Sequence, residues 1–255
     1  MRVSLIQMNS NGSFKENKTK SFEFLKKALL DKPDLICLSE LFLAWGSCFD
    51  DIKLTEEDII DYKCFAKENN VNIILGSIPI LEEKSKKVTN TSFVINRSGN
   101  IIGKYDKKYM YVYDGDDFKV DESCDTLKGN DLGLFLIDNI KIGIGICFDL
   151  RFPEYFRELI KGGAEVIFLP SHFRKNTGNI AWSILPEARA IENQVYFCAC
   201  NQTGDGIIGN TKVISYDGTV LGCLSDEDDV LTVDLDLNKQ RKYRKEFPVL
   251  KQMEL

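Results

Sequence analysis

The sequence predicts an α/β protein in which two sheets pack face to face and helices cover the outside. Three observations lead there. A strand–helix–strand unit spans residues 141–170, and a second spans residues 3–38. Between and after them lie two hairpin signals, Arg97-Ser98-Gly99-Asn100 and Tyr216-Asp217-Gly218. The chain of 255 residues is long enough for a sizeable core, as one large domain or two small ones.

The elements follow in order. Val3 to Met8 alternates as a strand. Glu16 to Leu30 reads as a helix with Phe22, Leu25, Ala28 and Leu29 on one face, stopped by Lys32-Pro33-Asp34. Leu35 to Leu38 is a buried strand that ends in Ser39-Glu40. Sites in open α/β folds gather beyond strand C-termini. A carboxylate just before the apolar Leu41-Phe42-Leu43 is poorly explained as a surface group, and a structural ion pair is its main alternative. Residues 44–54 read as a loop. Thr55-Glu56-Glu57-Asp58 resembles a capping box and opens a helix to about Asn69. Val71 to Gly76 is another buried strand, and Lys84 to Lys87 a solvated hairpin tip. Strands Ser92–Asn96 and Ile101–Tyr105 flank the first hairpin turn and deliver Lys107 and Lys108, between which pattern alone does not choose. Residues 112–131, which include Glu122, form an acidic loop long enough to cover a site.

The centre of the chain is Lys141 to Glu154. Ile142, Ile144 and Ile146 alternate with Gly143 and Gly145, so bulk lies on one face and close packing on the other. Pro153 suits a first helical position, and Phe152, Tyr155, Phe156, Leu159 and Ile160 form a buried helical stripe. Gly162-Gly163 ends the helix, and Val166 to Pro170 is the next strand. Cys147 therefore sits where a strand feeds a helix, where free N–H groups favour a thiolate or an oxyanion. The plain alternative is a small core residue. Ser171 to Gly178 reads as a loop. Ile180 to Asn193 reads as a helix that Pro186 should kink or restart. Val195–Cys200, a hairpin over 212–222, Val230–Leu235 and a charged tail complete the chain.

Composition narrows the function. Hydrophobic residues make up 44% and charged residues 28%, and the net charge is −6. With a pI near 5.1, nothing advertises nucleic acid or an anionic membrane. Apolar runs fall far short of the ~20 residues that span a bilayer, and the start lacks a signal-peptide pattern, so a cytoplasmic protein is expected. Eight scattered cysteines without a CxxC read as free thiols, with Cys198 and Cys200 a packed pair rather than a metal site. The single histidine, His172, excludes a histidine-rich metal centre. A catalytic cysteine needs a base, so either His172 serves or a carboxylate does.

Four separated segments resemble the nitrilase superfamily of carbon–nitrogen hydrolases. They are Leu38-Ser39-Glu40-Leu41-Phe42, Tyr105-Asp106-Lys107-Lys108-Tyr109-Met110, Gly145 to Glu154, and Ala188 to Gln194. The cysteine block is the most specific, and the four occur in the family's order over roughly residues 2 to 250. The resemblance implies a single domain over residues 1–255 with a four-layer α-β-β-α sandwich of two mixed sheets. It also implies a homodimer or higher oligomer, with the helix after the cysteine near the interface. It selects Lys107, two residues after Tyr105, and implies Glu40 as base, Cys147 as nucleophile and Glu122 as an additional glutamate that orients Lys107. The Phe148 backbone N–H would share the oxyanion, and no metal or cofactor is implied. The chain departs from the family pattern at Ser39, Asp106, Tyr109 and Met110.

Pro170 to Trp182, with Phe247-Pro248-Val249, resembles omega-amidases and amidases of deaminated glutathione. This implies a small-molecule amide substrate, a short dicarboxylate monoamide, in a pocket lined by Phe173 and Thr177. Arg174 and Lys175 are candidates for attracting an anionic tail, and Ala181 stands where that branch has histidine. The alternatives are an N-carbamoyl amidohydrolase with the same triad, an inactive binding scaffold, and a thiol redox protein using Cys198 and Cys200.

Overall fold

The computed structural model describes residues 1–43, 53–116 and 118–253; the loop expected over 44–54 lies mostly outside them. Strands β1 (Arg2–Gln7), β2 (Leu35–Cys37) and β3 (Asn72–Ile74) are parallel neighbours. β4 (Ile78–Leu81), β5 (Val88–Ile95) and β6 (Ile101–Asp106) add antiparallel pairs. β7 (Val112–Asp114) and β8 (Lys119–Asp121) form a separate ribbon, and β9 (Thr126–Leu127) returns to β5. A second sheet takes β10 (Leu134–Ile137), β11 (Ile140–Ile144), β12 (Val166–Pro170), β13 (Tyr196–Cys200), β14 (Lys212–Ile214) and β15 (Val220–Cys223) in that order. Finally β16 (Asp229–Asp234) pairs with β1, completing the first sheet. Both sheets are mixed. The helices are α1 (Phe14–Leu29), α2 (Ile60–Glu68), α3 (Pro153–Lys161), α4 (Lys175–Asn193) and α5 (Leu237–Glu246).

Strand alternation builds the layers. In the first sheet, Val3, Leu5, Leu35, Cys37, Ile74 and Val94 face a core shared with the second sheet. Their neighbours Ile6, Ile36, Ile73 and Phe93 face a separate core with Leu25 and Ala28 of α1 and Tyr62 and Phe65 of α2. Phe156 and Leu159 of α3 and Trp182 and Ala190 of α4 pack into the shared core from the second sheet. The period-2 pattern thus divides apolar side chains between two faces, giving the expected four-layer sandwich.

The expected capping box is present: the Thr55 N–H donates to Asp58 Oδ2 at 2.8 Å. Several elements depart from expectation. α1 begins at Phe14, because Ser13 and Glu16 form a capping box of their own. α4 begins at Lys175 and carries Pro186 without interruption. Proline in a helix interior costs about 3 kcal/mol, and burial of Trp182, Pro186 and Ala190 on one side of the helix offsets it. The charged tail contains α5, which polar bonds hold in place: Arg241 pairs with Glu165, and the buried Gln240 donates to the Gln194 and Glu165 carbonyls. Cys198 and Cys200 are buried, and Cys200 lies against Cys37 of the other sheet. Among the described residues no cluster of ligand side chains fits a metal ion, and no helix is long and apolar enough to cross a membrane.

Candidate active site

Two central strands, one from each sheet, end at the same place. Glu40 follows β2, Cys147 follows β11, and Lys107 follows β6. Glu122 follows the ribbon strand β8. The four side chains line one cavity of about 270 Å³, together with Phe148, Arg151, His172, Phe173, Arg174 and Thr177.

At its floor lies a buried ionic cluster. Lys107 is 2% exposed and Glu40 is 3% exposed. Lys107 Nζ donates to Glu40 Oε1 at 3.0 Å and to Glu122 Oε2 at 2.8 Å and Oε1 at 3.1 Å. Two carboxylates flanking one ammonium compensate its desolvation, which a single contact in this interior would do poorly. Burial works against the charged lysine, but Glu122 and Glu40 outweigh it and hold its pKa well above the usual value. Lys108, by contrast, points to the surface beside Glu158.

The backbone holds this cluster tightly. The Lys107 carbonyl accepts the Gly129 N–H at 2.7 Å. A Cβ on Gly129 would meet the Asp106 carbonyl oxygen at 2.0 Å, so only glycine permits this approach. Gly76 likewise has a φ of +40° and would place a Cβ 2.0 Å from the Ser39 carbonyl oxygen, next to Glu40.

Cys147 occupies the sharp exit of β11 with a φ of +45°, in the left-handed region that non-glycine residues avoid. Its partly exposed thiol opens to the cavity and lies within hydrogen-bond reach of Glu40 and the His172 backbone. Burial and the Glu40 charge push the thiol up, against the pull of Lys107, so the resting group is a thiol. Burial and the charges of Arg174 and Lys107 lower His172 to about 3, so its imidazole is neutral and a very weak base. Of the two bases left open by the sequence, the carboxylate is the one beside the thiol.

The carbon-nitrogen hydrolase family model matches residues 2–245. The chain belongs to the carbon–nitrogen hydrolase family. Within that family it is 34% identical to the deaminated glutathione amidase of Dictyostelium discoideum, covering all of this chain and 94% of that one. It is 30% identical to the omega-amidase NIT2 of Mus musculus, covering 98% and 94%. Its fold matches the crystal structure of Saccharomyces cerevisiae Nit3, a branch 10 member of the nitrilase superfamily, with a TM-score of 0.89. That match covers 100% and 97% of the two chains at 24% identity. This carbon–nitrogen hydrolase is thus an α/β hydrolase of carbon–nitrogen bonds.

The buried ionic cluster also engages residues that the sequence did not single out. Asn90 of β5 donates to Glu40 Oε1 at 2.9 Å and to Glu122 Oε1 at 3.3 Å. Its only sequence signal is an amide in a strand, a setting asparagine disfavours. Gln202 donates from its side chain to the Glu40 carbonyl. Tyr111 closes the base of the ribbon: its N–H donates to Glu122 Oε2 at 2.8 Å and its carbonyl accepts the Glu122 N–H at 3.0 Å. Its hydroxyl meets Thr177 Oγ1 at 3.1 Å, joining the ribbon to α4 across the cavity. Of the cations considered for an anionic tail, Arg174 lines the cavity and Lys175 lines a neighbouring one. Arg151 adds a second cation to the wall, its Nη2 held by the Thr177 carbonyl at 2.8 Å.

Proposed function

We propose that this hydrolase releases ammonia from the carboxamide of short dicarboxylate monoamides through a thioester on Cys147. The observation that supports this best is the buried Glu40–Lys107–Glu122 cluster beside the Cys147 thiol, beneath a wall carrying Arg151 and Arg174. The names of the amidase relatives point the same way.

The chemistry follows from the charges. Because the resting sulfur is a thiol, Glu40 takes its proton as the sulfur attacks the amide carbon. Negative charge then gathers on the carbonyl oxygen. Lys107 and the Phe148 N–H, a first-turn donor without an intrahelical partner, stabilise it. Collapse breaks the C–N bond, and Glu40 returns its proton to the leaving ammonia. A water next gives its proton to Glu40 and attacks the thioester, and cleavage of C–S restores the thiol and frees the acid. Glu122 orients Lys107, and with Glu40 it leaves the resting cluster one negative charge in excess. Phe173 and Thr177 shape the acyl pocket.

Arg151 and Arg174 supply the specificity for a carboxylate tail. Ammonia release is measured with succinic monoamide, with an uncharged amide of equal length, and with an N-carbamoyl amino acid. Arg151→Gln should raise KM for the monoamide about tenfold or more while leaving the uncharged amide nearly unchanged. Equal effects on both would refute the carboxylate assignment, and preference for the carbamoyl compound would move the substrate class.

We infer further that residues 1–255 act as one domain, a reading supported by the core shared between the sheets. Exposed Ile180, Ile184 and Ile191 on α4, which packs beside α3, support a homodimer with α3, the helix after the cysteine, near the interface. The free thiols support a cytoplasmic setting.

A further inference from the structure

Asp149 lies directly beneath the Cys147 turn, is fully buried, and takes no part in the chemistry described above. Its contacts are unusual in where they lead. Oδ2 accepts from the Ile146 N–H at 2.8 Å and from the Tyr105 hydroxyl at 2.7 Å, and Oδ1 accepts from the Tyr109 N–H at 2.9 Å. Ile146 adjoins Cys147. Tyr105 and Tyr109 stand two residues before and two residues after Lys107. One carboxylate therefore ties the segment that carries the cation to the turn that carries the sulfur. These two segments come from different sheets, and Cys147 holds a strained φ of +45°.

We propose that Asp149 is a positioning residue whose ionised carboxylate sets the placement of Lys107 relative to Cys147. The proposal rests on the amidase reading above. All three partners donate to the carboxylate. The two backbone N–H groups can only donate, so a proton on Oδ1 would face the Tyr109 N–H, and a proton on Oδ2 would force the Tyr105 hydroxyl to turn from donor to acceptor. Either removes the charge that strengthens all three bonds and loosens the joint. Burial pushes Asp149 up to about 6, opposed by the Ile146 N–H, the Tyr105 hydroxyl, the Lys107 charge and the Tyr109 N–H. The other titratable group facing it is Tyr155 of α3, which stacks on Tyr105 with ring centroids 5.7 Å apart. Glu154 and Glu158 of α3 act on the Tyr109 phenol. The joint is thus intact at neutral pH and opens as pH falls through about 6. Reaction geometry is sensitive to such an opening, because a displacement of about 1 Å can cost on the order of 100-fold in rate.

The test compares wild type with Asp149→Asn and Tyr105→Phe, following kcat and KM for succinic monoamide across pH. Iodoacetamide alkylation of the Cys147 peptide is measured in parallel, which needs no turnover. Asp149→Asn presents an amide donor to the donors around it. It should lower kcat on the order of 100-fold with little change in KM. Tyr105→Phe removes one of the three bonds that favour the ionised form. The acid limb of kcat and of alkylation should then move to higher pH. A folded Asp149→Asn enzyme with kcat within about twofold of wild type overturns the proposal. So does an acid limb that Tyr105→Phe leaves in place, and this result decides alone if Asp149→Asn does not fold. Absence of ammonia release by wild type would instead refute the amidase reading, while the alkylation profile still decides the role of Asp149.

Discussion

Replacing Cys147 by alanine should lower ammonia release by roughly four to six orders of magnitude, as loss of a covalent nucleophile does elsewhere. Thermal unfolding should stay within about 3 °C of wild type, because only a sulfur at a cavity wall is lost. Alanine keeps the same Cβ, so the φ of +45° costs no more than before. Lys107, Glu40 and Glu122 keep their mutual bonds. Assays with succinic monoamide and circular-dichroism melts check both halves. Activity within about tenfold of wild type would remove Cys147 from the mechanism.

Lys107→Met carries the largest expected effect on stability. It leaves Glu40 and Glu122 buried around the Asn90 amide without a cation between them. Removing one partner of a buried ionic cluster costs about 3–5 kcal/mol, or about 10 °C in Tm for a chain of this size. The pH dependence follows from the sign of the remaining repulsion. Two facing carboxylates raise one folded-state pKa above its unfolded value, so the folded variant binds the extra proton more tightly. Its deficit relative to wild type should therefore be largest near pH 8 and shrink as pH falls through that raised pKa. Melts of both proteins at pH 5 and pH 8 measure this. A deficit below about 1 kcal/mol at pH 8, or one that does not shrink on acidification, would contradict the cluster's electrostatics. Activity should be lost at both pH values.

Much of this arrangement was legible in the chain because it depends on local rules. Alternation in β1 and β11 and the apolar run of β2 marked the strands, and the ends of β2 and β11 put Glu40 and Cys147 at equivalent positions. The strand-to-helix turn at Cys147, with Pro153 opening α3, required only nearest-neighbour chemistry. Local pattern did not choose between Lys107 and Lys108; resemblance to a family did, and the buried side chain is Lys107. Other features depend on distant partners. Asn90 matters only because β5 brings it between two carboxylates remote in sequence. Arg151 looks like a helix-edge cation until α4 supplies the Thr177 carbonyl. α5 has almost no apolar stripe, and its order comes from bonds to Glu165 and Gln194. Pro186 was overridden by packing, which no short window records. The ribbon β7–β8 lay hidden within the acidic loop, because its pairing places few side chains in a core.

The central claim is that amide cleavage passes through an acyl group on Cys147, and nucleophile partitioning tests it most directly. Succinic monoamide and the monomethyl ester of succinic acid share one acyl group and differ only in what leaves. With hydroxylamine present at a fixed concentration, both should yield acid and hydroxamate in the same ratio, because both reach the same thioester before the nucleophile enters. A ratio that differs between the two substrates, or turnover with no hydroxamate from either, would contradict the account.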